Sequence, residues 1–340
     1  MRQTIVFIIM LLLSGAAFGQ ENVKTKEFSD YMEMRRYFGG LYQQKKFKEA
    51  ADVLEKHLDR FPDNIEANAI NLAIVYTQLK QYEDGIKALK YGHDHGIWFN
   101  IYSFRMELWA PYKELEAFQK ITERNEEMRQ EAQKSARPDL LVVTPEGYDP
   151  DKNYPLFIAL HGGSSNIENF KGRWKSDLLE KEFIVAYVQS SLLVSMDTYA
   201  WTVDLEISSK ELVEAYNKIK EEYAVNEEEI IIGGFSAGSM AGLEIALNNL
   251  IPVSGFIALC PGKLDSFTEE NIINMKNRGI RGSIITSEMD HNLSVQKEMV
   301  EVLKKLGFQY QFILTPNIGH WFPEDLDKKI DGSIKHIRNK

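Results

Sequence analysis

The stretch EEEIIIGGFSAGSMAGLEIALNN, Glu227 to Asn249, decides how this chain is read. An isoleucine run, Ile230 to Ile232, ends in glycines and gives way to a segment rich in alanine, glycine and leucine. The first part reads as a buried strand and the second as a buried helix. Glycines at 234 and 238 let the two approach without Cβ clashes, so the serine between them can occupy a strained turn. Its hydroxyl then projects from the sheet edge beside a helix N-terminus, which favours developing negative charge. Gly234-Phe235-Ser236-Ala237-Gly238 fits the pattern G-x-S-x-G. So short a pattern also arises by chance, and the bland reading is a packing corner with an incidental serine. The strand–turn–helix context argues instead for an exposed nucleophile at Ser236.

Outward from this corner, strand and helix signals alternate from Arg137 onward. DLLVV, YPLFIAL, FIVAYVQ, SGFIALCP, RGSIITSE and YQFILTP are short, apolar and rich in β-branched or aromatic residues. SSKELVEAYNKIKEEYA and LSVQKEMVEVLKKLG between them read as helices. Near-continuous apolar strands are covered on both faces, which predicts a mostly parallel sheet in an α/β domain.

A serine hydroxyl needs a base, and the base needs an orienting group. Asp290 follows the strand RGSIITSE, and His320 follows the strand YQFILTP. Both lie past the carboxyl ends of strands, where open α/β sheets place their sites. Asp290 is read as the orienting acid and His320 as the base, with Glu288 and His291 as their rivals. A tetrahedral intermediate also needs donors for its oxyanion. Gly163, in the His161-Gly162-Gly163 turn after LFIAL, and Ala237, next after the serine, are the candidates. The competing reading of the glycine pair is a plain turn.

Taken together, HGG (161–163), GFSAG (234–238), SEMD (287–290) and GHWF (319–322) resemble the α/β-hydrolase superfamily, in particular its carboxylesterase, phospholipase and feruloyl-esterase types. The resemblance spans about Arg137 to Lys340. It implies the α/β-hydrolase fold, acyl transfer to water from a small-molecule ester, and no metal or organic cofactor. It does not choose between esters and peptides, since this fold hosts both.

Residues from about 27 to 135 carry almost no strand signal, and their apolar residues recur at helical spacing. Tyr42–Asn64 and Tyr76–Ile97 look alike. Phe47 corresponds to Tyr82, Ala50 to Gly85 and Leu54 to Leu89, each pair 35 positions apart. An aromatic followed three residues later by a small residue, with Pro62 closing the second helix, resembles the tetratricopeptide repeat. The alternative is a non-repeat helical bundle. Two such units are fewer than stand alone, so this domain is expected to pack on the rest of the chain or on a protein partner.

Arg2, the apolar run Thr4–Leu13 and the small residues Ala17 and Gly19 read as a secretory signal peptide cleaved before Gln20. The expected organisation is therefore a signal peptide (1–19), a helical repeat-like domain (20–135) and an α/β-hydrolase domain (136–340). The mature protein is expected to be periplasmic or secreted, without a stable membrane anchor. A formal net charge of −10 argues against nucleic acid and anionic membranes as partners. Cys260 is the only cysteine, which excludes an intrachain disulfide and a cysteine-based zinc site.

Three other features have a functional and a bland reading. Trp201 could line a substrate pocket or simply pack. Lys171, Arg173 and Lys175 could attract an anionic substrate or form a solvated loop. His93-Asp94-His95 looks like a metal cluster on paper, but near neighbours in a loop seldom converge on one ion, so no metal is expected. A protein-binding scaffold remains the reading from outside the enzyme classes.

Overall fold

Five helices build the N-terminal part of the computed structural model, which describes residues 26–339. They are α1 (Tyr31–Gln43), α2 (Phe47–His57), α3 (Ile65–Leu79), α4 (Tyr82–Asp94) and α5 (Glu116–Gln133). The signal-peptide segment lies outside the described residues. The internal repeat is visible in the backbone as well as the side chains. Lys45 and Lys80, at equivalent turn positions, both adopt φ of 58°. Each turn closes with the same pair of hydrogen bonds: Lys45 N–H to Tyr42 O and Lys46 N–H to Leu41 O, then Lys80 N–H to Thr77 O and Gln81 N–H to Tyr76 O.

The small residues have the role their position suggests. Ala50 is fully buried between helices. A Cβ on Gly85 would overlap the Tyr112 ring, and one on Gly92 would overlap the Phe99 ring. The segment after α4 adds packing that the repeat pattern does not announce. Trp109 stacks on Phe118 at 5.7 Å, and Tyr112 lies 5.3 Å from both rings. These rings join α1–α4 in one buried cluster, so the unit holds a core of its own. The His93-Asp94-His95 side chains are engaged locally: His93 Nε2 meets Asn125 Oδ1 at 3.2 Å, and His95 Nδ1 meets Tyr91 O at 2.8 Å.

The chain divides between Lys134 and Ser135. The second unit is a seven-stranded sheet of β1 (Asp139–Val143), β2 (Tyr154–Leu160), β3 (Ile184–Gln189), β4 (Val225–Phe235), β5 (Gly255–Leu259), β6 (Arg281–Ser287) and β7 (Tyr310–Thr315). The strand order is β1-β3-β2-β4-β5-β6-β7. β1 runs antiparallel to β3, and every other pairing is parallel. The helices are α6 (Ile167–Phe170), α7 (Asp177–Glu182), α8 (Leu205–Glu222), α9 (Ala237–Asn248), α10 (Glu269–Asn277), α11 (Leu293–Lys305) and α12 (Leu326–Arg338).

The apolar runs are explained by burial on both faces. Leu156, Ile158 and Leu160 of β2 pack into one core with α8, α9, α10 and α11. Phe157 and Ala159, pointing the other way, pack into a second core with α7 and α12. The parallel pairing places the carboxyl ends of β2, β4, β5, β6 and β7 along one edge, where open α/β sheets form their sites. Among the described residues no helix is long and apolar enough to cross a membrane.

Candidate active site

Ser236 sits between β4 and α9 at φ 52°, ψ −116°. A non-glycine residue there is strained by roughly 1–3 kcal/mol, which the surrounding structure must hold in place. The flanking glycines show how. A Cβ on Gly234 would lie 2.6 Å from the Ser239 nitrogen and closer still to the backbone of Gly238. A Cβ on Gly238 would lie 2.8 Å from Leu160 O. Strand and helix therefore touch backbone to backbone. The Ser236 N–H donates to Leu259 O at 2.8 Å, which ties the turn to β5.

The structure brings Ser236, His320 and Asp290 together. His320 Nε2 lies 2.7 Å from Ser236 Oγ, and His320 Nδ1 lies 3.1 Å from each Asp290 carboxylate oxygen. The rivals are placed elsewhere. Glu288 is exposed, and its carboxylate accepts the Asn317 N–H at 3.4 Å. His291 is exposed and its ring is tilted by 38° against that of His320, with centroids 4.4 Å apart.

The electrostatics suit a neutral imidazole beside an ionised carboxylate. Burial pushes Asp290 up, but the Cys260 thiol, the Asn292 N–H and His320 outweigh it and hold the carboxyl at about 2. Asn292 N–H donates to Asp290 Oδ1 at 2.7 Å. Burial lowers His320 below the ordinary histidine value, and Asp290 opposes the shift. The ring is thus neutral at neutral pH and can accept a proton from Ser236.

Cys260 is a site residue that the sequence reading missed. It follows β5 at φ 54°, fully buried, with its sulfur within 4.8 Å of an Asp290 carboxylate oxygen. Burial, then the neighbouring carboxylate, raises the thiol well above its usual range. The available signal was its place just past a strand's carboxyl end, as for Asp290 and His320. Cys260, Asp290 and His320 place one ligand-type atom each within 4.8 Å of one another, but the acid and the imidazole are committed to each other.

Gly163 adjoins Ala237: a Cβ on the glycine would lie 3.7 Å from that of the alanine. The Ala237 N–H is the first of α9, where no intrahelical acceptor exists. The turn is braced from below. Burial lowers His161 to about 4, so its ring is neutral, and it packs on Trp201 at 4.8 Å. Trp201 corrects the pocket-lining expectation. Its side chain is fully buried, and its indole N–H donates to His161 O at 2.9 Å. It supports the glycine turn from the core instead of facing a ligand.

The tetratricopeptide-repeat family matches residues 41–90. No curated protein matches the sequence. Among solved structures, an uncharacterized protein from Bacillus cereus ATCC 10987 is 26% identical over 91% of this chain and 99% of that one, with a TM-score of 0.52. Esterase PE8 is 14% identical over 59% of this chain and 99% of its own, with a TM-score of 0.48. Dipeptidyl peptidase 4 of Porphyromonas gingivalis is 17% identical over 59% of this chain and 33% of its own, with a TM-score of 0.44. The mostly parallel sheet, its two helical layers and the strand–serine–helix corner give Ser135–Lys340 an α/β-hydrolase fold, preceded by a tetratricopeptide-like helical region.

Proposed function

We propose that this protein hydrolyses a carboxylic ester through an acyl-enzyme intermediate. The observation that carries the reading is the hydrogen-bonded series Ser236 Oγ, His320 Nε2, His320 Nδ1 and Asp290, set on a strained turn at a helix N-terminus. Ser236 Oγ attacks the ester carbonyl carbon while His320 Nε2 takes the hydroxyl proton. Asp290 holds the imidazole in the tautomer with Nδ1 protonated and stabilises the imidazolium that forms. The Ala237 and Gly163 N–H groups face the developing oxyanion, assisted by the α9 dipole. His320 returns its proton to the departing alcohol oxygen. Water then attacks the acyl-serine by the same steps in reverse roles, releasing the acid.

The exposed side chains of Met289 and Trp321, beside Asp290 and His320, offer an apolar lip for the organic part of an ester. The Arg2–Gln20 signature supports export, so the substrate is one met outside the cytoplasm. The helical unit is read as a surface for a protein partner.

The test is a panel of nitrophenyl esters of several chain lengths, acetylated and feruloylated sugars, and aminoacyl amides. Ester turnover should exceed amide turnover, and Ser236→Ala should lower kcat by roughly 10⁴ or more. Amide cleavage above ester cleavage would replace the reading with a peptidase. A Ser236→Ala variant within tenfold of wild type would remove the serine from the mechanism.

A further inference from the structure

Phe235, the residue before Ser236, starts a continuous aromatic wall. Its ring lies 5.1 Å from that of His320, 6.1 Å from Trp321 and 4.3 Å from Phe322. At the far end of the wall the Arg173 guanidinium lies over both outer rings, 5.6 Å from Trp321 and 5.5 Å from Phe322. Trp321 is 39% exposed, and Arg173 is exposed, so this end of the wall meets solvent.

Arg173 differs from Lys171 in what it is paired with. Lys171 of the same loop pairs with Glu168 at 2.8 Å, and Arg129 and Arg338 both hold carboxylates. Among the described residues no carboxylate holds the Arg173 guanidinium; two rings do. In a chain with 50 acidic and 40 basic residues, an arginine fixed in place without being neutralised is available to an external anion. Stacking on rings also leaves the fork of N–H donors at the guanidinium edge free for bidentate binding.

We propose that Arg173 forms an anion subsite, and that the ester carries a carboxylate a few bonds from the carbonyl attacked by Ser236. This deepens the hydrolytic reading above and rests on it. A carboxylate on Arg173 would be held in the bidentate geometry that planar guanidinium favours. The aromatic wall would carry the apolar chain between the carboxylate and the ester. A glutarate monoester is one substrate of this class.

The test compares 4-nitrophenyl hydrogen glutarate with 4-nitrophenyl butyrate on wild type, Arg173→Gln, Arg173→Lys and Lys175→Gln. A charge-assisted hydrogen-bond pair is strong enough for roughly a tenfold or larger effect on kcat/KM. Arg173→Gln should cost the anionic ester about that factor and leave the neutral ester unchanged. Arg173→Lys should recover only part of it, because ammonium lacks the fork. Lys175→Gln, an exposed charge in the same loop, should leave the ratio of the two esters unchanged. An equal loss on both esters, or an equal effect of Lys175→Gln, would overturn the subsite in favour of a packing role or a diffuse field. A second readout separates this idea from the catalytic one. Glutarate should bind the Ser236→Ala protein by calorimetry, and Arg173→Gln on that background should weaken binding about tenfold. Glutarate binding that is absent, or indifferent to Arg173, refutes the subsite even if neutral esters are cleaved. Arg173-dependent binding with no ester turnover supports the subsite and refutes the hydrolysis.

Discussion

Replacing Gly238 with alanine tests whether the backbone contact beneath Ser236 is what shapes the site. A Cβ there would lie 2.8 Å from Leu160 O, 2.9 Å from Leu160 C and closer still to His161 O. All three are backbone atoms of the segment leading into the glycine turn, so no side chain can swing aside. α9 must withdraw from β2 by several tenths of an ångström or more. Overpacking of this kind costs about 1–3 kcal/mol and occasionally more. Alanine's better helix propensity returns at most about 1 kcal/mol. The matched control is Gly242, one turn along the same helix. A Cβ there would meet Ile232 Cγ1 at 3.4 Å and Leu160 Cδ1 at 3.6 Å, which are ordinary contacts with side chains. Gly238→Ala should therefore lose about 2 kcal/mol in urea unfolding and about 4–8 °C in Tm, while Gly242→Ala stays within about 1 kcal/mol of wild type. Because withdrawal also moves Ser236 and the Ala237 N–H, ester turnover should fall roughly 10²-fold in the first variant only. Equal melting of the two variants, with full activity in both, would refute the account of the corner.

Four further outcomes are expected. His320 must be neutral to act and burial lowers its pKa, so kcat/KM should fall on the acid side with a midpoint below about 6.5; a midpoint above about 7 would contradict this. Asp290 stays ionised through that limb, held at about 2, so it contributes roughly 2 kcal/mol of stability above its unfolded value near 3.9 that is lost as pH falls toward 2. Asp290→Asn should abolish that acid-dependent part in urea melts and lower kcat by about 10⁴. Cys260 is fully buried with its thiol raised above the usual range, so iodoacetamide should modify it only after denaturation, and ready alkylation of the folded protein would show the thiol is not held on Asp290. N-terminal sequencing of the exported protein should begin near Gln20, and intact Met1 in the membrane fraction would show an anchor instead.

The corner around Ser236 was legible because its physical demands fall on residue types. Backbone contact needs glycine at 234 and 238, and the strand and helix around it are apolar on both faces. The positions of Asp290 and His320 were legible because a parallel sheet collects its strand ends at one edge. What stayed hidden depends on partners distant along the chain. The antiparallel pairing of β1 with β3 leaves no mark on the apolar run DLLVV. β4 begins at Val225, through the acidic triplet, because Val225 pairs with Tyr154, a partner distant along the chain. Trp201 looks the same in sequence whether it lines a pocket or braces His161 from the core. The Cys260 thiol gains its role only because β5 and β6 end side by side. In the helical unit the two repeats were readable from spacing, whereas the Trp109, Tyr112 and Phe118 cluster has no period to betray it.

The central claim is that Ser236 is the nucleophile, and labelling tests it most directly. The protein is treated with a fluorophosphonate and the modified peptide is identified by mass spectrometry. Labelling should add one phosphonyl group, on Ser236, and His320→Gln should slow it by orders of magnitude because the serine loses its base. Absence of reaction in the folded protein, or a label on any other residue with Ser236 unmodified, would contradict the account.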